Sequence, residues 1–144
     1  MSFMATLRSS AHAKLVEVRD ANPTVLGQVH KARPASLSIV GVSAYVGDCR
    51  PSMRFTNQLR QWTGTELDVV LVSGPTDNEE TQDRLDVAGD LVLDAFSADH
   101  HFAGADMVGE PTRVRMATEL EANGTSYPAM VITLGNISHL EGGY

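Results

Sequence analysis

The chain has 144 residues, a formal net charge of −7 and a single cysteine. Its length suits one domain, residues 1–144, that buries a core without a disulfide or metal staple. The acidic balance argues against a nucleic-acid binder, which needs a basic stripe to displace counterions. One cysteine excludes an internal disulfide framework and any multi-cysteine zinc site. No apolar run is long enough to span a bilayer. Near the start, Arg8, Ser9, Ser10, His12 and Lys14 interrupt any apolar segment of a secretion signal. A soluble protein made in a cytoplasm is therefore expected.

Residues 3–20 carry Met4, Leu7, Ala11, Leu15 and Val18 at spacings of three and four, which predicts an amphipathic helix ended by Asn22-Pro23. Residues 24–32 suggest a short strand. Leu37 to Val46 suggests a better one, β-branched, with Gly41 as a candidate bulge. Asp48 to Asn57 reads as a polar and basic connection. Trp62 to Ser73 is apolar on both faces around Leu67-Asp68-Val69-Val70-Leu71-Val72, the pattern of a central strand. Asp77 and Glu80 open a second helix to about Ala98, with Leu85, Ala88, Val92, Ala95 and Phe96 as its stripe and Val87, Leu91 and Leu93 widening it. A loop follows from His100 to Gly109.

Arg113–Glu121 and Thr125–Gly135 flank Asn123-Gly124, a hairpin signal. A two-residue turn sets Leu120 opposite Tyr127, Met116 opposite Val131, Val114 opposite Thr133 and Pro128 opposite Glu119. The expected fold is α+β: a mostly antiparallel or mixed sheet, two main helices on one face and a closing C-terminal hairpin. Residues 136–144, with Gly142-Gly143, are a candidate flexible tail.

Residues arranged for chemistry are few. Ser43 lacks the second glycine of a nucleophile elbow. Cys49 has no base nearby in sequence. His100-His101 is a poor chelate, because adjacent side chains on an extended segment diverge. Ser73 to Asp77 precedes a helix, but Asp77, Glu79 and Glu80 fill that end with negative charge and repel a phosphate. No catalytic residue, cofactor site or metal site is assigned, and no enzyme is expected. Asp83, Asp86, Asp90 and Asp94 share one helix face. Such a stripe is a solvated face, or one turned to a basic partner or a lumen.

The opening helix with Leu7 and Leu15, the strand Leu37 to Val46 and the run Leu67 to Val72 recur in one family. So do an acidic helix with Gln82, Leu85 and Asp86, and a hairpin with Gly124-Thr125-Ser126-Tyr127, Ala129, Val131 and Thr133. In order and size these elements resemble the tail terminators of long-tailed, siphovirus-like bacteriophages of actinobacteria. The resemblance spans nearly the whole chain and rests on no single motif. Asp48 to Gln61 has no counterpart in it.

The resemblance implies a structural virion protein in the tail or neck, assembled in the host cytoplasm. Six copies would form a ring that caps the tail tube and joins it to the head connector. The partners implied are further copies of the chain, the major tail tube protein and the stopper or connector protein. DNA would pass through without specific binding, and no membrane or cofactor is involved. Another head–tail completion protein, a stopper or adaptor, fits the same size and make-up; a small ligand-binding α+β module is a further alternative.

Two stretches have the composition of an interface. One holds Arg50, Met53, Arg54, Phe55, Arg60 and Trp62, which suits either a docking segment or a loop that tucks Phe55 and Trp62 into its own core. The other is the tail from Ile137, with His139 and Tyr144, which suits either docking or fraying. Asp83, Asp86, Asp90 and Asp94 are the candidate lumen lining.

Overall fold

The computed structural model describes residues 2–34, 41–56, 59–74, 78–104, 107–120 and 126–141. Among them are two helices, α1 (Phe3–Ala21) and α2 (Asn78–Ala98). The strands are β1 (Gln28–His30), β2 (Val42–Arg50), β3 (Met53–Thr56), β4 (Leu59–Ser73), β5 (Val108–Leu120) and β6 (Ser126–Glu141). One sheet runs β1-β2-β4-β6-β5, with β3 also paired to β4. The β1–β2 pair is parallel and all others are antiparallel. This is the expected α+β fold, with both helices on one face and β5–β6 as the closing hairpin.

Local chemistry accounts for the helices. Ser2 Oγ accepts the Ala5 N–H at the start of α1. At its end the Asn22 side chain donates to the Val18 carbonyl, 3.1 Å away, and Pro23 follows. The buried stripe is Phe3, Leu7, Ala11, Leu15 and Val18. Phe3 thus takes the inward place that spacing gave to Met4, which is exposed. On α2, Leu85, Ala88, Val92 and Phe96 are buried, whereas Val87 lies on the open side at 51% exposure. These stripes pack on Val42, Ala44, Val46, Leu67, Val69, Leu71, Met130, Ile132 and Leu134 from the sheet. Alternate residues Tyr45, Val70, Val72, Ala129 and Val131 form a second, smaller cluster on the other face.

Three expectations are corrected. The segment from Asp48 is not a connection: β2 continues to Arg50, and β3 follows after Pro51-Ser52 and pairs Met53 with Trp62. The last hairpin pairs Leu120 with Ser126, Met116 with Met130, Val114 with Ile132 and Thr118 with Pro128, one residue out of the expected register. The turn itself, 121–125, lies outside the described residues. Asn136 to Glu141, expected in the tail, is the end of β6 and pairs with β4 as far as Arg60. Tyr144 lies outside the described residues, as does most of the expected strand before Val42.

Candidate functional site

Strand β4 has 15 residues and serves two neighbourhoods. Its C-terminal half, Leu67 to Ser73, sits between β2 and β6 and is buried on both faces. Its N-terminal end pairs with β3 and with the end of β6 to make an arm. The arm departs along a line of irregularities. Pro51-Ser52 separates β2 from β3, β4 bulges around Gly64, and β6 passes through Asn136. Gly64 has φ +72° and Asn136 φ +53°, a region that glycine and asparagine enter most readily. Fully buried Thr65 ties the line together: its Oγ1 accepts the Ser52 N–H at 3.1 Å and donates to the Ser52 carbonyl at 3.3 Å.

The structure separates the residues grouped by composition. Met53, Phe55, Arg60 and Trp62 share the helix-side face of the arm, because Met53 pairs with Trp62 and Phe55 with Arg60. Trp62 is the arm's root and is buried. Its ring stacks on Phe3 with centroids 4.6 Å apart, and Phe3 also stacks on His139 at 5.7 Å. Trp62 and His139 are therefore largely wall, not free surface. Phe55 is 65% exposed and Met53 41%. The Arg60 guanidinium lies over the Phe55 ring, 5.8 Å from its centroid, and 5.9 Å from that of Trp62. Arg54 points to the opposite face and donates to Gln61.

Arg50 belongs elsewhere. It grips Asp68 with two hydrogen bonds of 2.8 and 2.9 Å and reaches Glu66 at 3.2 Å, on the face without helices. Asp68 also accepts from Thr133 at 2.9 Å. Burial pushes the Asp68 carboxyl up. The hydrogen bonds from Arg50 and Thr133, with the charges of Arg50 and Arg115, more than offset this and hold it below the usual carboxylate range. The bond to Asp68, against a smaller burial penalty, in turn raises Arg50. One signal for this network was present: a lone carboxylate inside Leu67-Asp68-Val69-Val70 needs a partner. The partner, eighteen positions away, was not identifiable.

Asp83, Asp86, Asp90 and Asp94 are all exposed on the outer face of α2, as their spacing implies. Beside Asp83 and Val87, where α1 runs into β1, lies a pocket of about 540 Å³ walled by Pro23, Val25 and Val42. A second cleft of about 610 Å³, on the helix-free face, is polar: Arg8, Arg115, Asp48 and Asp68 frame it. Arg8 there donates to the Val46 and Gly47 carbonyls at 3.2 and 2.9 Å, which satisfies the edge of β2 beyond β1.

The other reactive candidates have structural settings. Burial pushes the Cys49 thiol up, and the charges of Arg8 and Arg50 oppose it only in part, so the nucleophilic thiolate is disfavoured. The His101 ring meets the Met107 carbonyl at 3.0 Å, and the His101 backbone N–H donates to the Asp99 carboxylate. No cluster of three metal-ligating side chains occurs among the described residues. No helix of theirs is long and apolar enough to cross a membrane. The edge strand β5 exposes Val114 and Met116 but also carries Pro111, Arg113 and Arg115, features that blunt strand addition. No protein-family model and no curated protein matches the chain.

Proposed function

We propose that the chain is a structural virion protein, a phage tail terminator whose copies assemble into a hexameric ring. The ring caps the tail tube and meets the head connector, with the tube protein and the stopper or connector as neighbours. The resemblance in element order supplies the family. The observation that supports it is the arm, which holds Met53 and Phe55 in the open beyond the packed body. An exposed aromatic on a braced β-arm suits docking. Exposed Asp83, Asp86, Asp90 and Asp94 suit either a lining that repels DNA within a Debye length of about 8 Å at physiological salt or a face turned to a basic partner surface.

A stopper or adaptor would use the same arm at another level of the neck. The ligand-binding alternative asks for an apolar pocket with a few polar groups. The larger cleft is instead framed by charges already engaged with the fold, through Arg8 and Asp68, while at the apolar-walled pocket beside α2 the cation Arg84 is already engaged by Glu80. The test is native mass together with imaging of the virion neck. A hexamer of the 15.5 kDa chain weighs about 93 kDa. A neck reconstruction with no annulus built from this chain overturns the proposal. Rings that bind DNA avidly at low salt overturn the lining.

A further inference from the structure

The pocket beside α2 and the tip of the arm lie at opposite ends of the molecule. Helix α1 begins at Phe3, stacked on Trp62 at the arm's root, and ends at Ala21, just before Pro23 at the pocket. Its 19 residues rise about 28 Å. Along β4 the contour from Leu59, at the tip, to Ser73, paired with Val42 at the pocket, is about 45 Å. Strand pairing with β6 keeps that path extended. No chain can place its own arm in its own pocket.

The two ends are chemically complementary. The arm offers Phe55 on one face, with Met53 beside it and the cation Arg60 over its ring. The pocket offers apolar walls from Pro23, Val25, Val42 and exposed Val87. Around it the outer face of α2 carries Glu79, Asp83, Asp86 and Asp90. The cation at the rim, Arg84, is engaged by Glu80 at 2.6 Å. An aromatic flanked by positive charge thus matches an apolar recess flanked by negative charge.

We propose that the arm of one copy inserts Phe55 into the pocket of a second copy, with Arg60, on the same face as Phe55, set against Asp83 and its neighbours on α2. The contact is heterologous, since each copy contributes two different surfaces, so it propagates until rotation closes it into a ring. This rests on the self-assembly reading above and names the surfaces that carry it. The dock takes Asp83 and its neighbours as a partner face, so of the acidic stripe only Asp94, three turns further along α2, is left for a lumen.

The experiment uses two variants, each with one surface disabled. Phe55→Asp spoils the arm and Val87→Lys spoils the pocket. Both residues are more than half exposed, so both variants should keep the wild-type melting temperature. By native mass spectrometry each alone should be monomeric at a concentration where the wild type is assembled. Mixed, the intact arm of Val87→Lys meets the intact pocket of Phe55→Asp. Growth then stops at a dimer of about 31 kDa, twice the chain mass. A mixture that stays monomeric overturns the dock. Variants that still form wild-type rings overturn it too, while the ring reading stands. A wild type that remains monomeric to its solubility limit also overturns it, and neck imaging then decides the ring reading separately.

Discussion

The two halves of β4 follow the same backbone rules and have different tasks. From Leu67 to Ser73 the strand is central, and Leu67, Val69 and Leu71 are fully buried beneath the helices. From Leu59 to Trp62 the backbone pairing continues, with β3 on one side and β6 on the other, but the helices stop at Phe3. Hydrogen bonds hold the arm in shape, and beyond its root Met53 and Phe55 stay exposed. An apolar side chain stabilises the fold in the first half and is available to a partner in the second. A substitution that affects one half only separates the two tasks.

The largest effect is expected in the body. Leu71→Ala removes a fully buried side chain under α2 and should cost about 2–5 kcal/mol in denaturant unfolding. Phe55→Ser, 65% exposed on the arm, should change stability by no more than about 0.5 kcal/mol. Comparable losses at both positions would erase the distinction.

Next comes the ion network on the helix-free face. Asp68→Ala strips two hydrogen bonds from Arg50 and one from Thr133, and should cost roughly 2–3 kcal/mol, discounted because Arg50 is partly exposed. The pH dependence has a definite sign. The folded carboxyl lies below its unfolded value of about 3.9, so its contribution is full above that pH. It disappears as pH falls through the folded value. Thermal melts from pH 6 downward should show the wild type losing stability in acid more steeply than Asp68→Ala. Parallel curves would remove Asp68 from the account.

The helices were legible because a 3.6-residue period survives wherever one face is buried, and Leu7, Ala11, Leu15, Leu85, Ala88 and Val92 all show it. The central place of β4 was legible for the same reason, with apolar residues on both faces. The arm was not. Met53, Arg54 and Phe55 are all exposed and give no buried alternation, and Pro51 breaks the run. The hairpin register was ambiguous for a related reason. Met130, Val131 and Ile132 are all buried, so shifting β6 by one residue exchanges one apolar side chain for another. Of the site, Phe55 and Met53 were legible from composition. Arg50 was misgrouped because its partner Asp68 is adjacent only in space.

A smaller effect is expected at the line between the halves. Gly64 has φ +72° with open space where a Cβ would stand, so Gly64→Ala introduces backbone strain and no clash. The cost should be about 1–2 kcal/mol in chemical unfolding. Because the strain sits where β4 leaves the body, assembly should weaken by more than stability does. Equal, proportionate losses would mean that the bulge has no part in aiming the arm.

The smallest effect tests where the arm begins. Trp62 stacks on Phe3, and its buried Nε1 has no acceptor among the described residues. Trp62→Phe keeps an aromatic ring against Phe3 and removes that orphaned donor, which offsets the lost indole area. Stability should move by less than about 1 kcal/mol, against about 3 kcal/mol or more for Trp62→Ala. If Trp62 is wall and Phe55 is the docking side chain, Trp62→Phe rings should keep their native mass and Phe55→Ser rings should not form. Loss of assembly in Trp62→Phe at unchanged stability would move the docking surface down to the arm's root and the edge of α1, where exposed Met4 lies.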